Sequence, residues 1–352
     1  MSLLDKTIAE ILPVDRGLEA ESRAHLDNLT KPAGSLGYLE ELAVRYCLAT
    51  NTLKPRMGKK VIFTFAGDHG VAAEGVSAYP KEVTPQMVRN MLAEGAAVNV
   101  LARHAGAEVR VVDIGVDDPL KDAQGLLAKK IRPGTANIAE GPAMTLEEAR
   151  NAVEVGIELS QEAAAEGAAL IGTGEMGIAN TTPSSAIFAA LLPCEVRDVT
   201  GRGTGIDDDT LTHKVAVIEQ ALAVNKDRLT DPLNTLAAVG GLEIAAICGL
   251  ILGAASRRVP VAVDGFISSA GALVACRMCP LVQDYLFYSH LSAEAGHAKF
   301  FERLNVHPLL DFRMRLGEGT GAALAMLLIE AAVRIYNEMA TFDSAGVSKK
   351  EG

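Results

Sequence analysis

From residue 60 onward the chain alternates between short apolar runs and longer segments whose apolar residues recur three and four apart. The apolar runs fall at 61–65, 109–113, 168–171, 259–264 and 285–288. Most run into a glycine or an acid, and helical periodicity follows at 85–105, 146–166, 184–192, 214–223, 240–254 and 271–276. Short β-type runs separated by helix-length amphipathic segments are the grammar of parallel strands joined by crossover helices. The pattern predicts an α/β protein with a parallel, doubly wound, Rossmann-like sheet. Ahead of residue 51 the apolar positions Leu26, Leu29, Leu36, Leu39 and Leu42 stand at helical offsets, interrupted by Lys31-Pro32-Ala33-Gly34-Ser35. A last helical pattern covers 322–339. The expected organisation is a small helical domain from both termini, 1–58 plus 322–352, beside a large α/β domain, 59–321. The last ten residues, 343–352, are expected to fray.

In doubly wound sheets ligands bind beyond the carboxyl ends of the strands. The glycine-rich turns are expected at such ends. They are Gly67-Asp68-His69-Gly70, Gly172-Thr173-Gly174-Glu175-Met176-Gly177, Gly201-Arg202-Gly203-Thr204-Gly205 and Arg315-Leu316-Gly317-Glu318-Gly319-Thr320-Gly321. The last is the most informative. Its glycines let backbone approach a ligand, and the helix that follows offers N–H groups to an anion. A glutamate there repels an anion, so Glu318 is a candidate for acid/base chemistry beside a phosphate. Its ordinary reading is an acid in a first helical turn.

Composition narrows the partners. A net charge of −11 over 352 residues argues against nucleic acid, whose affinity rests on phosphate neutralisation. Five scattered cysteines form no disulfide framework, and Cys276-Arg277-Met278-Cys279 lacks the second pair of a zinc site. The first sixteen residues carry no apolar core of a signal peptide, and no apolar run is long enough to span a bilayer, so a cytoplasmic protein without a membrane partner is expected. Asp68-His69 reads as a structural histidine turn, because no second cluster has metal-ligand spacing. Lys214, near a helix start, is a candidate phosphate partner.

Residues 172–177 match GxGxxG after an apolar run. A dinucleotide reading is weakened by Glu175 inside the turn and by the hydroxyl-rich stretch Asn180-Thr181-Thr182-Pro183-Ser184-Ser185, which looks like a cap before a short helix. Two alternatives stay open on the residues alone: an NAD-dependent oxidoreductase and a non-catalytic mononucleotide-binding protein.

Seven ordered motifs together resemble one family. They are Leu29-Thr30-Lys31-Pro32-Ala33-Gly34-Ser35-Leu36-Gly37-Tyr38-Leu39-Glu40; Ala66-Gly67-Asp68-His69-Gly70-Val71 with 76–86; 172–183; 201–207; Val263-Asp264-Gly265-Phe266; 289–297; and 315–321. The chain is similar to the nicotinate-nucleotide–dimethylbenzimidazole phosphoribosyltransferases, which serve cobalamin lower-ligand synthesis. The resemblance implies transfer of the phosphoribosyl group of nicotinate mononucleotide to 5,6-dimethylbenzimidazole. Nicotinate leaves, and α-ribazole 5'-phosphate forms with inversion at the anomeric carbon. It implies Glu318 as general base and an anion site at Gly174, Gly177, Gly319 and Gly321 with Ser292 and Lys214. It places Glu175 and Gln86 in the pocket and Tyr79 in the base-pocket loop. It implies a homodimer whose helical domain helps close the partner's site, and no metal or cofactor.

Overall fold

In a computed structural model, which describes residues 1–121 and 123–348, six parallel strands form one sheet in the order β3-β2-β1-β4-β5-β6. The strands are β1 (Lys59–Gly67), β2 (Ala107–Gly115), β3 (Leu127–Ala128), β4 (Ala168–Met176), β5 (Val261–Val263) and β6 (Leu286–Tyr288). The order reverses between β1 and β4, so crossovers leave this pair in opposite directions and open a crevice above their carboxyl ends. β1 and β4 are buried almost throughout. Their continuous apolar character follows from helices on both faces. On one side Thr320–Glu338 packs with Tyr38–Thr50 and Ala97–Ala105. On the other, Leu146–Ala165, Leu242–Ser256 and Phe266–Met278 pack together.

Close helix packing explains part of the glycine content. A Cβ on Gly249 would collide with the Val153 carbonyl, and one on Gly156 with the Ala246 carbonyl. The helices Leu146–Ala165 and Leu242–Ser256 therefore touch backbone to backbone, which no larger residue allows.

Several expected elements differ from those observed. The pattern at 85–105 is two helices, Val83–Leu92 and Ala97–Ala105, because Glu94 adopts a positive φ of 60° ahead of Gly95. Residues 172–176 are not a turn but the last half of β4. The 201–205 loop follows a short 3-10 segment, Val196–Val199, rather than a strand end, and 315–321 follows a long loop after Ala295–Leu304. Helices Pro232–Val239 and Ala295–Leu304 and strand β3 have no counterpart in the expected pattern; β3 is only two residues long. Lys214 lies inside the helix Asp208–Val224 rather than before it. Asn180 does not cap with its side chain. Residues 344–345 complete a short C-terminal helix, Phe342–Ala345, and 349–352 lie outside the described residues.

Tyr38–Thr50 packs on Thr320–Glu338, and a backbone bridge joins Leu29 to Thr341. Leu3–Glu10 instead reaches Leu146–Ala165 and Leu242–Ser256. Thr320–Glu338 is apolar and long enough to cross a membrane, yet its apolar residues such as Ala322, Met326 and Ile329 are buried within the protein.

Candidate active site

A cleft of about 300 Å³ opens above β4, with walls from six segments distant in sequence, Gly265 to Ile267 among them. Glu175 is the last residue but one of β4, and the backbone from Met176 to Thr181 continues the wall. Ser77 and Tyr79 form one rim and Gly203 and Thr204 another. His290, Ser292 and Glu294 come from beyond β6, and Arg315, Leu316 and Gly317 close the ring.

The loop at 201–205 ties these pieces together. The Ala78 N–H donates to Thr204 Oγ1 at 2.9 Å. Arg315 Nη1 donates to the Gly203 carbonyl at 2.8 Å, and the Gly203 N–H donates to Glu294 Oε2 at 3.2 Å. Behind the wall Lys214 Nζ donates to Thr181 Oγ1 at 2.7 Å and to the Gly201 carbonyl at 3.3 Å. Burial holds the Lys214 ammonium down to about 8, against the opposing charge of Glu294. Arg315 is exposed at the mouth.

The floor holds carboxyl groups whose protons are retained well above the usual range. Burial and then the charge of Asp264 push the Glu175 carboxyl up to about 8, despite a hydrogen bond donated by Asn180 Nδ2 to Glu175 Oε2. Glu243 and Glu318 add to this rise. Burial and then Asp264 likewise push Glu318 up to about 7. Glu318 Oε2 is buried and has no hydrogen-bond partner among the described residues.

Glu318 owes its position to strained backbone. Gly317, Glu318 and Gly319 have φ values of 84°, 66° and 103°. Two glycines take this region freely, while Glu318 takes it at a cost of about 1–3 kcal/mol. Thr64 Oγ1 donates to the Glu318 carbonyl at 2.8 Å. The carboxyl lies outside the cleft wall, near the start of Ala97–Ala105, where the Val98 N–H favours its charged form. A Cβ on Gly317 would run into Glu175 Oε1, so the residue preceding Glu318 packs directly on the Glu175 carboxyl.

The sequence-selected residues are thus partly assembled. Glu175, Gly177, Tyr79 and Ser292 line the cleft. Lys214 braces it from behind. Gly174 lies beneath Glu318, where a Cβ would strike the Glu318 carbonyl. Gly319 and Gly321 stand at the helix start, but their N–H groups donate to the Asp264 carboxylate, at 3.1 and 2.7 Å, as does that of Ala322 at 3.0 Å. The helix terminus expected to receive an anion is capped by a carboxylate of the protein. Gln86 is exposed on Val83–Leu92 and does not line the cleft.

Sequence reasoning missed His290 and Arg315 as wall residues. Their signals were present: each sits inside a motif already selected. His69 is buried, with Nε2 2.9 Å from Glu243 Oε1. Burial alone lowers its basicity, but Glu243 and Asp68 outweigh it, and the net shift is upward. His297 accepts the Ser292 N–H at Nδ1, 2.9 Å, and pairs through Nε2 with Ser269 Oγ at 2.9 Å. Burial drives its basicity far down, so it is a neutral ring that positions Ser292. Among the described residues no group of three or more His, Cys, Asp or Glu could hold a metal. Because 172–176 is strand, the strand–turn–helix context of a dinucleotide fingerprint is absent there.

Comparison with known proteins shows what the chain is similar to. A family profile described as phosphoribosyltransferase matches residues 11–347. A nicotinate-nucleotide–dimethylbenzimidazole phosphoribosyltransferase of Pelodictyon phaeoclathratiforme is 61% identical, with 99% of this chain and 98% of that protein covered. One of the same name from Chlorobaculum tepidum is 60% identical over 97% of each. The crystal structure of CobT from Thermus thermophilus superposes with a TM-score of 0.91 at 49% identity, covering 95% of this chain and 100% of that one.

Proposed function

We infer the chemistry from one premise: the chain belongs to the nicotinate-nucleotide–dimethylbenzimidazole phosphoribosyltransferase family. It is an enzyme of the glycosyltransferase class. The proposed reaction moves the phosphoribosyl group of nicotinate mononucleotide to 5,6-dimethylbenzimidazole and releases nicotinate. The observation that carries the mechanism is the pair of raised carboxyls, Glu175 and Glu318, with Gly317 packed against the first and preceding the second in the chain.

The nucleotide occupies the cleft, its phosphate at the cationic side where Arg315, Ser292 and the Lys214-braced loop meet. Gly177 and Tyr79 complete its surroundings. The acceptor base lies over Gly317, within reach of Glu318. One benzimidazole nitrogen attacks the anomeric carbon as its lone pair forms the new bond. The pyridinium nitrogen of nicotinate takes the electrons of the breaking bond and leaves neutral. Glu318, with basicity tuned near neutrality, accepts the N–H proton of the acceptor. Such general-base help is worth about 10²–10⁴ in rate. Attack opposite the leaving ring converts a β- into an α-nucleotide. Positioning of two bound rings supplies much of the remainder. Gln86 enters this reading through the family resemblance.

The division into 1–58 plus 322–352 and 59–321, a homodimeric assembly and a cytoplasmic location belong to the same proposal. The pairing of Tyr38–Thr50 with Thr320–Glu338 supports the first. No metal, cofactor, nucleic acid or membrane is invoked.

The test is incubation with nicotinate mononucleotide and dimethylbenzimidazole, with the products separated and the anomeric configuration read by nuclear magnetic resonance. Nicotinate and an α-nucleotide are expected in equal amounts. A β-product would overturn direct displacement.

A further inference from the structure

His290 follows β6 and forms part of the cleft wall. It is only 1% exposed, yet neither ring nitrogen has a hydrogen-bond partner among the described residues. The two other buried histidines differ: His69 pairs with Glu243, and His297 uses both nitrogens. A buried imidazole without partners carries a desolvation cost that packing does not return. Bound ligand that brings a donor or acceptor removes that cost.

The surroundings select the kind of group. Two glycines leave room for the ring: a Cβ on Gly265 would stand 3.2 Å from His290 Nε2, and one on Gly321 would stand 2.9 Å from it. That same Gly321 position is 2.8 Å from Asp264 Oδ1, so imidazole and carboxylate adjoin one point at the helix start. An anion brought to His290 also meets the buried carboxyl group of Asp264, which disfavours the phosphate and the pyridine carboxylate there. A neutral hydroxyl suits the place, since it can accept from one ring nitrogen or donate to the other. The acceptor base has no hydroxyl, and its two nitrogens are already engaged in attack and proton loss. The ribose has hydroxyls.

We propose that His290 hydrogen-bonds a ribose hydroxyl of the bound mononucleotide. This rests on the reading of the cleft as the nucleotide's site. His290 is then a substrate-binding residue whose contact fixes the sugar while the anomeric bond changes.

The test compares nicotinate mononucleotide with its 2'-deoxy and 3'-deoxy analogues on three proteins: the parent, His290→Phe, which keeps a ring without nitrogens, and His290→Gln, which keeps a donor and an acceptor. In the parent, one deoxy analogue is expected to lose about tenfold in kcat/KM through that contact. In His290→Phe the natural substrate loses about as much through KM, and the same deoxy analogue loses nothing further. His290→Gln recovers part of the discrimination. The ratio of each analogue to the natural substrate is compared between proteins, so effects of the missing hydroxyl on bond reactivity cancel. If His290→Phe fails to fold by thermal melting, the Gln variant carries the comparison, with discrimination below that of the parent expected. Equal deoxy penalties in parent and variants would overturn the contact, as would a variant that loses kcat with KM unchanged. A parent that neither binds nor turns over nicotinate mononucleotide would instead sink the reading of the cleft.

Discussion

Asp264 Oδ1 accepts the Gly321 N–H at 2.7 Å, so the carboxylate beyond β5 fastens the helix that begins just after Glu318. The Gly319 and Ala322 N–H groups complete the grip. Asp264 therefore does two things for Glu318. It fixes the backbone that carries it, and its charge helps keep the Glu318 carboxyl basic. Asp264→Asn is expected to move the acid limb of the kcat/KM profile to lower pH, because the repelling charge is gone. A profile shifted to higher pH, or unchanged beside a merely lowered maximum, would contradict this electrostatic role.

Glu318→Gln keeps shape and removes basicity. Turnover should fall by about 10²–10³, the range for loss of a general base. Affinity for nicotinate mononucleotide should change little, since its proposed phosphate contacts remain. Turnover within about twofold of the parent would pass the role to Glu175.

The two raised carboxyls also make stability depend on pH. Both are held above the ordinary carboxylic value of 4.5, Glu318 to about 7 and Glu175 to about 8. The native state thus binds more protons than the unfolded chain between about 4.5 and 8, and their contribution to stability falls as pH rises through that window. Replacing either by Gln should raise the melting temperature at pH 8.5 by about 2 °C or more, and much less at pH 5. Equal shifts at both pH values would show that charge burial is not the cause.

For the parent enzyme, kcat/KM should rise with pH through a region near 7, as Glu318 loses its proton. The charge of Glu318 raises Glu175, which at about 8 still holds its proton while Glu318 titrates, so Glu175→Gln should leave this limb close to its parental position. A flat profile from pH 5.5 to 8 would remove Glu318 from the rate-determining proton transfer.

Gly317→Ala tests the packing of the residue preceding Glu318 on the Glu175 carboxyl. The new methyl would overlap Glu175 Oε1, at a φ of 84° that alanine rarely takes. Activity should fall by about 10² or more, as expected for displacement of both carboxyls by about an ångström. A variant with near-parental kinetics would mean the loop opens in solution and the observed packing is not the reactive one.

Much of the architecture was legible because local chemistry dictates it. The apolar runs of β1, β2 and β4 read as buried parallel strands, and the chain order of strands and helices implied a doubly wound sheet. Glu318 could be selected since a carboxylate between Gly317 and Gly319, ahead of an apolar helix, suits acid/base chemistry as well as the ordinary place of an acid in a first helical turn. What the sequence could not show was which side chain meets which. Whether the helix start serves an anion depended on Asp264, 57 residues from Gly321 along the chain. The Gly172–Gly177 pattern looks like a phosphate turn in one dimension. Pairing of Ile62 with Gly172 and of Thr64 with Gly174 makes it strand, and small residues there admit Ala322, Met326 and the Glu318 backbone. His290 lies in the selected motif 289–297, but its spacing from His297 assigns it no role; burial without a hydrogen-bond partner among the described residues marks it. Local propensity and periodicity are encoded in neighbours along the chain. The capping of a helix by a distant carboxylate, and the basicity of two buried acids, are set by desolvation and charge in space, which exist only once the crossovers bring β4, β5 and the last helix together.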